Sequence, residues 1–254
     1  MPPIKESMLG PFLLLISPAI GSFLALLADR LPRGEDVVTR PSACRACKTR
    51  LGPRDLIPIV SFTLSAGRCR HCKAAIPPWL LYMEIIATGC AVVALILGNS
   101  PAEIWLYALF LWVLQALVAS DLLWFRLPDA LTGALFVIAL TLAWITGRPN
   151  LDMALWGAVI GVGSFAVLRW GYHWLRGREG LGLGDVKLLA GLGAALGPFD
   201  LPLMLLIAAM TTLAVAAAGR VRSDRALRPT RPLPFGAALA CATIVIWVVQ
   251  RLPG

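Results

Sequence analysis

Two acidic residues adjoin long apolar runs, and they are the first candidates for chemistry in this sequence. Asp121 follows the run 103–120, and Asp185 lies in the segment GLGDVK, residues 182–187, at the start of another run. Placing a carboxylate beside hydrocarbon is unfavourable, so an acid in that position is by default a candidate functional residue. An acid at a helix C-terminus also opposes the helix dipole, which disfavours a purely structural role for Asp121.

If these two carboxylates meet, they predict the chemistry of an aspartic peptidase. Like charges a few ångströms apart cannot both ionise easily, so the pair shares one proton. The ionised member takes a proton from a water that attacks a peptide carbonyl, and the protonated member stabilises the oxyanion and protonates the leaving amine. The two histidines, His71 and His173, have no evident nucleophile partner, so no serine or cysteine arrangement competes.

Three further residues lie close to the two acids in sequence. Gly182 and Gly184 precede Asp185 and would let the backbone approach a substrate or a partner helix, although a lone GxG is a weak signal. Asp129 follows Pro128 at the start of the next apolar run, and we expect it to cap that helix.

The composition predicts a membrane protein, since 58% of the residues are hydrophobic and only 15% are charged. A soluble domain could not bury that much apolar surface. Several runs have the roughly 18 or more nearly uncharged residues that cross a bilayer. We therefore expect an all-α polytopic membrane protein of about eight transmembrane helices, at residues 8–28, 79–98, 103–120, 127–146, 151–172, 185–198, 201–219 and 233–250.

The distribution of basic residues predicts the topology. With the N-terminus outside, 20 of the 23 Lys and Arg fall in or beside the inner loops, leaving Lys5, Arg148 and Arg251 elsewhere. This bias explains the net charge of +9 without nucleic acid, although the basic loops could contact anionic membrane lipid. It also places both acids on the inner side, at the ends of the third and sixth spans.

Four cysteines predict a metal site in the one sizeable polar segment, residues 29–78. Two CxxC pairs, each able to direct two sulfurs to one side of a metal, are typical of a tetrahedral zinc knuckle; they comprise Cys44, Cys47, Cys69 and Cys72. A cytosolic loop keeps its thiols reduced, which favours zinc over disulfides, and unmetallated turns are the alternative. Cys90 and Cys241 fall within spans and are interpreted as small buried residues.

Together these motifs resemble a type IV prepilin peptidase of the bifunctional bacterial form. The resemblance covers roughly residues 18–200 and rests on motifs in the expected order: GSF and DRLP in and after the first run, the two CxxC pairs, DLLWFRLPD at 121–129, and GLGDVK. It implies a GxGD-type membrane aspartic endopeptidase whose catalytic acids match Asp121 and Asp185. Gly182, Gly184, Lys187 and Asp129 then take supporting roles.

The resemblance further implies the substrates and the second reaction. Such enzymes remove the basic leader of prepilins or pseudopilins after a Gly at the cytoplasmic face of the bacterial inner membrane, then methylate the new N-terminus with S-adenosylmethionine. Glu84 matches an acid of the family and could receive the leader's charge or the new amine. The expected domains are a first transmembrane helix at 1–28, a cytoplasmic four-cysteine loop associated with methyl transfer at 29–78, and a seven-helix peptidase domain at 79–254.

Two segments depart from the pattern of that family. Ala25 stands where GSFLN would place an Asn, and residues 76–80, IPPWL, replace the usual IS followed by a Tyr-Pro pair. Both departures lie in the half associated with methyl transfer, so a peptidase-only form is an alternative to the bifunctional one. Two other classes stay open: a transporter or channel, whose acids would lie nearer the bilayer midplane, and a non-catalytic scaffold that docks a partner through the cysteine loop.

Overall fold

A computed structural model describes residues 8–177, 182–222 and 233–252. The N-terminal residues before Met8 and most of the expected basic loop at 220–232 lie outside this range. The described residues form eight long apolar helices, and we number them in chain order: α1 Leu9–Arg30, α2 Trp79–Leu97, α3 Pro101–Trp124, α4 Asp129–Thr146, α5 Leu151–Arg176, α6 Leu183–Leu196, α7 Leu201–Arg222 and α8 Phe235–Val249.

These helices confirm the all-α membrane architecture predicted from the sequence. Six of them are long and apolar enough to span a bilayer, so the chain is a multi-pass membrane protein. The two exceptions are α6 and α8, with 14 and 15 residues. At 1.5 Å per residue each is only about 21–23 Å long, which is less than the roughly 30 Å of a bilayer core.

The chain divides into two compact units, Met1–Ala108 and Leu109–Gly254. The boundary falls within α3. The three domains expected from the sequence divide the chain at other positions, and that division stays a prediction.

In the first unit, α1 packs closely against α2 because Gly21 lacks a side chain. A Cβ on Gly21 would lie 2.6 Å from the Met83 carbonyl oxygen and 2.7 Å from Glu84 Cα. Between these helices the chain forms 3₁₀ turns at Leu31–Arg33 and Pro53–Asp55 and one short helix, Val60–Leu64. The buried Arg30 guanidinium donates hydrogen bonds to the carbonyls of Asp36, Arg40 and Pro41, which fixes the start of this loop.

In the second unit, the short helix α6 is central, since it packs against α4, α5 and α8. Nine of its 14 residues are buried, and its small residues explain how three helices fit around it. Gly157 of α5 and Gly193 of α6 touch backbone to backbone, because a Cβ on either would lie about 2 Å from the carbonyl oxygen of the other. The small residues of α6 therefore allow close helix packing.

The observed helix ends correct three details of the predicted map. Helix α3 continues to Trp124, so Asp121 lies in its last turn and not after its end. Helix α6 begins at Leu183, which places Asp185 in its first turn. Helix α5 extends to Arg176, so His173 is helical and does not lie in a connection.

Candidate active site and metal centre

The two acids singled out by the sequence converge on one glycine. A Cβ on Gly236, in the first turn of α8, would lie 3.0 Å from Asp185 Oδ1 and 3.2 Å from Asp121 Oδ2. One carboxylate oxygen of each acid therefore lies within 3.2 Å of the same Cβ position. Asp121 is buried and Asp185 is half-buried. The two oxygens are therefore at most 6.2 Å apart (3.0 Å plus 3.2 Å), a separation that one water can bridge with two hydrogen bonds.

The N-terminus of α8 holds Asp121 in place. Its Oδ2 accepts a 2.7 Å hydrogen bond from the Ala237 N–H, and the backbone of Gly236 also hydrogen-bonds the same carboxylate. The free N–H groups and positive dipole end of a helix N-terminus stabilise a carboxylate. Asp121 is unfavourably placed in its own helix but is stabilised by α8, a partner that the sequence does not reveal.

Asp185 is positioned by the glycine segment before it. Its carboxylate hydrogen-bonds the backbone of Gly182, the residue that caps α6. A Cβ on Gly184 would lie 3.2 Å from the Leu127 Cβ, so this glycine permits close contact with the turn that follows Asp121. The neighbour of Gly184 is thus the Leu127 side chain, and the approach of a substrate or a partner helix to Gly182 and Gly184 stays a prediction.

Asp129 and Lys187 form a salt bridge that ties the two acidic motifs together. Lys187 Nζ lies 2.7 Å and 2.8 Å from the two carboxylate oxygens of Asp129. Asp129 is the first residue of α4 and Pro128 occupies the cap position, with no side-chain cap hydrogen bond. The capping role expected of Asp129 is therefore wrong, because its carboxylate binds Lys187 instead.

The start of α8 belongs to the site, although the sequence did not lead us to predict this. The apolar run at 233–250 was predicted as a helix, with no role for Gly236 or Ala237. The available signal was the segment Pro234-Phe235-Gly236, in which a proline precedes a helix whose first turn contains a residue without a side chain. Proline and glycine there indicate a helix start that another group can approach closely.

The four cysteines form a cluster that could hold a metal ion. One sulfur from each of Cys44, Cys47, Cys69 and Cys72 lies within 4.8 Å of the others, and the Cys44 and Cys72 sulfurs are 3.8 Å apart. Zn–S bonds of about 2.3 Å in a tetrahedron place sulfurs about 3.8 Å apart. The cluster thus needs only a small contraction to coordinate zinc, and His71 is not among its members.

The cluster is built from two copies of one turn with the sequence CxxCK. In the first copy the Cys44 N–H donates to the Thr49 carbonyl and the Lys48 N–H to the Cys44 carbonyl; the Cys69 turn makes the equivalent bonds. Lys48 and Lys73 both have a φ of 61°, in the left-handed region. The lysine that follows each CxxC pair is a second sign of the repeat, in addition to the CxxC spacing.

Hydrogen bonds favour a thiolate at one of these positions. Side-chain and backbone hydrogen bonds from Thr49 lower the pKa of Cys47 to about 6. Cys72 receives a hydrogen bond from the Ala74 backbone that lowers its pKa, but burial and the neighbouring cysteines raise that pKa to about 11. Four clustered thiols cannot all ionise without a cation, and a metal supplies that charge.

Glu84 belongs to the first unit. It is buried, its Oε2 accepts a 2.7 Å hydrogen bond from the Ile59 N–H, and it hydrogen-bonds the Ser22 side chain. The contact of Gly21 with α2 brings Ser22 beside Glu84, which gives the GSF segment a structural role. Glu84 lines a cavity of about 500 Å³. Its wall also includes Ala25, Ile76 and Pro77, which lie in the two segments that differ from the family pattern.

Comparisons with known proteins agree with the resemblance seen in the motifs. Residues 15–98 match the family described as Bacterial Peptidase A24 N-terminal domain, and residues 108–217 match the Type IV leader peptidase family. No solved structure matches this chain.

Several curated relatives share the name Prepilin leader peptidase/N-methyltransferase. The protein from Dichelobacter nodosus is 31% identical over 94% of this chain and 91% of its own length. Those from Aeromonas salmonicida (strain A449) and Dickeya chrysanthemi are 35% and 34% identical, covering 90% and 95% of this chain and 86% and 93% of the relatives. This chain belongs to the type IV leader peptidase family.

Proposed function

We propose that this protein is a membrane aspartic endopeptidase that removes the basic leader of type IV prepilins or pseudopilins after a Gly and then N-methylates the new N-terminal residue. The observation that carries the peptidase proposal is the convergence of Asp121 and Asp185 on Gly236. Membership of the type IV leader peptidase family favours this function over a transporter or a scaffold.

In this proposal the two acids have different roles. Asp121 accepts two backbone hydrogen bonds from α8, an arrangement that suits an ionised carboxylate acting as the base. Asp185 then carries the shared proton. It donates to the oxyanion that forms when water attacks the scissile carbonyl, and it protonates the leaving amine. Gly236 leaves space for the peptide group between the two acids.

The location we propose is the bacterial inner membrane, with the N-terminus in the periplasm and the acids near the cytoplasmic face. The concentration of Lys and Arg in alternate loops supports this topology. A prepilin carries a basic leader before an apolar helix, so its scissile bond would lie at the cytoplasmic boundary. That level matches the ends of α3 and α6, which carry Asp121 and Asp185.

We further propose that the cysteine cluster binds one structural zinc ion and that the methyl donor is S-adenosylmethionine. The sulfur separations and the repeated CxxCK turns support zinc. Zinc would link the two halves of a loop that has little regular structure of its own. The donor supplies an electrophilic methyl group, and the names of the relatives support its use.

Mass spectrometry of a prepilin incubated with the purified protein and S-adenosylmethionine tests both activities. We expect loss of the leader and the addition of one methyl group to the new N-terminus. Omitting S-adenosylmethionine should preserve cleavage and abolish the methyl addition. An intact precursor would contradict the peptidase proposal, and cleavage without methylation would contradict the bifunctional one.

A further inference from the structure

Leu127 occupies the space that two glycines leave beside the acid pair. Its Cδ1 would lie 2.9 Å from a Cβ on Gly236, and its Cβ would lie 3.2 Å from a Cβ on Gly184. The other two atoms nearest to the Gly236 position are Asp185 Oδ1 at 3.0 Å and Asp121 Oδ2 at 3.2 Å. Packed carbon atoms lie about 3.5–4.0 Å apart, so even a methyl group is too large for this position. An apolar side chain thus borders the two acids.

The turn between α3 and α4 holds Leu127 in place. Before it, the buried Ser120 hydroxyl donates a 2.7 Å hydrogen bond to the Arg126 carbonyl. Phe125 has a φ of 52°, in the left-handed region that bulky residues rarely adopt, and strain of this kind clusters at functional sites. After it, Pro128, whose ring fixes φ, occupies the cap position of α4. The backbone of Leu127 therefore cannot move away from the acids without disturbing this turn.

Leu127 also lies close to the place where a bound peptide would react. Its Cδ1 is at most 5.9 Å from Asp185 Oδ1 (2.9 Å plus 3.0 Å) and at most 6.1 Å from Asp121 Oδ2 (2.9 Å plus 3.2 Å). A water between the acids attacks the carbonyl carbon of the residue before the scissile bond, and the Cα of that residue is only about 1.5 Å from this carbon. A side chain on that Cα would compete with Leu127 for the space beside the acids.

We propose that Leu127 is the specificity-determining residue for the glycine that precedes the scissile bond. The inference rests on the proposed function and deepens it, because it names the side chain of this protein that rejects larger residues at that position. Glycine offers no side chain for an enzyme to bind, so steric exclusion is the means by which contacts at this position select it. Leu127 supplies that exclusion on the side of the acid pair where Gly184 and Gly236 carry no side chains.

A different reason for selecting glycine is its backbone freedom. Glycine adopts positive φ values that other residues disfavour, and a substrate bound in such a conformation would need glycine whatever side chain the enzyme places nearby. In that case no change at Leu127 would admit alanine or valine. Steric exclusion predicts the opposite result, since a shorter residue at position 127 leaves room for a larger substrate residue. Shortening Leu127 therefore separates the two explanations.

The test uses the purified full-length protein in lipid nanodiscs and three prepilins that differ only in the residue before the scissile bond, which is glycine, alanine or valine. The variants are Leu127→Ala and Leu127→Val, and Leu122→Ala is the matched control, since Leu122 follows Asp121 but is 55% exposed. The quantity compared is the ratio of kcat/KM for the valine precursor to that for the glycine precursor. Because both values come from one variant, the ratio does not depend on the folded fraction.

We expect the wild type to cleave the valine precursor about a hundredfold more slowly than the glycine precursor, with the alanine precursor between them. Leu127→Ala should raise the valine-to-glycine ratio at least about tenfold, Leu127→Val should raise it less, and Leu122→Ala should keep the wild-type ratio. An unchanged ratio in both Leu127 variants, or equal cleavage of the three precursors by the wild type, would overturn this inference alone. Failure of the wild type to cleave the glycine precursor would instead overturn the proposed function.

A size exchange within the protein tests the same contact without altering the substrate. Adding Leu127→Ala to Gly236→Ala removes the Cδ1 that meets the new methyl group at 2.9 Å, so the double variant should regain about tenfold of the lost cleavage rate. Gly184→Ala should gain nothing from Leu127→Ala, because its nearest neighbour is the Leu127 Cβ, which alanine keeps. Equal recovery of both glycine variants, or recovery of neither, would contradict the assigned role of the Leu127 methyl group.

Discussion

The cysteine cluster of the first unit is formed by two short turns, whereas the carboxylate site of the second unit is formed by three helices that are distant in sequence. Each CxxCK turn sets two sulfurs through its own backbone hydrogen bonds. Asp121, Asp185 and Gly236 come from α3, α6 and α8, and each depends on the packing of the others. Perturbations of the first site should thus act locally, and perturbations of the second should depend on tertiary contacts.

The largest effect is expected from removing one acid of the pair. Asp185→Asn should lower the rate of prepilin cleavage roughly a thousandfold, because the amide cannot share a proton with Asp121. Its abundance in the membrane should stay at the wild-type level. Asp200→Asn is the matched control. Asp200 belongs to the same unit but lies outside the site, where its carboxylate accepts a hydrogen bond from Gln250. Cleavage kinetics and immunoblots of membranes make the comparison, and processing at near wild-type rates by the Asp185 variant would refute the dyad.

A single added methyl group at Gly236 should have the second largest effect. In Gly236→Ala the new Cβ would meet Leu127 Cδ1 at 2.9 Å as well as both carboxylates. Displacing the acids by even part of an ångström should lower cleavage by up to about a hundredfold. Alanine otherwise favours helix, so a loss of activity would reflect the contacts and not a weakened helix.

Gly133→Ala in α4 serves as the control for this substitution, because nothing lies within 4 Å of its added Cβ. It should leave cleavage unchanged and slightly raise the thermal stability. Equal activity of the two alanine variants would show that α8 does not position the acids.

Removing the metal should affect the first unit more than the second. We expect one zinc per chain in the purified protein by elemental analysis, and none in Cys44→Ser, because three remaining sulfurs bind zinc more weakly than four. Limited proteolysis should then cut residues 29–78 faster, while cleavage of prepilin falls less than in Gly236→Ala. Cys241→Ser, which changes a cysteine outside the cluster, should keep its zinc. Equal zinc in both variants would refute the site.

The smallest effect is expected from the salt bridge between the two acidic motifs. Both partners are substantially exposed, with side-chain exposures of 50% for Lys187 and 74% for Asp129. Lys187→Gln should therefore destabilise the protein by only about 0.5 kcal/mol, and less at high salt. Thermal unfolding at two ionic strengths measures this difference. A large loss that does not depend on salt would mean that Lys187 does more than pair with Asp129.

Features that depend on local sequence could be predicted well. The apolar runs predicted the eight helices because burial in lipid requires long uncharged segments, and the CxxC spacing predicted the cysteine cluster because each turn closes on itself. The motifs around Asp121 and Asp185 identified the family. The basic loops predicted that Asp121 and Asp185 lie on the same side of the membrane. No pattern in the sequence predicts the distance between the two carboxylates.

Features that depend on packing could not be predicted in the same way. The contribution of Gly236 and Ala237 was missed because a glycine in an apolar helix carries no chemical signal of its own. The capping role assigned to Asp129 failed because the sequence does not reveal that Lys187, 58 residues away, would compete for its carboxylate. The cavity beside Glu84 depends on the close contact at Gly21, which is likewise a tertiary feature.

The sequence by itself determined that the chain crosses a membrane as a bundle of helices, that four cysteines can share one metal, and that two acids are the candidates for catalysis. These follow from residue type and spacing along one segment at a time. Only the tertiary structure decided that Asp121 and Asp185 meet at Gly236 and that α8 supplies the hydrogen bonds to Asp121. The reason is physical: these contacts join the ends of separate helices, and the packing of glycines against neighbouring backbones sets where those ends lie.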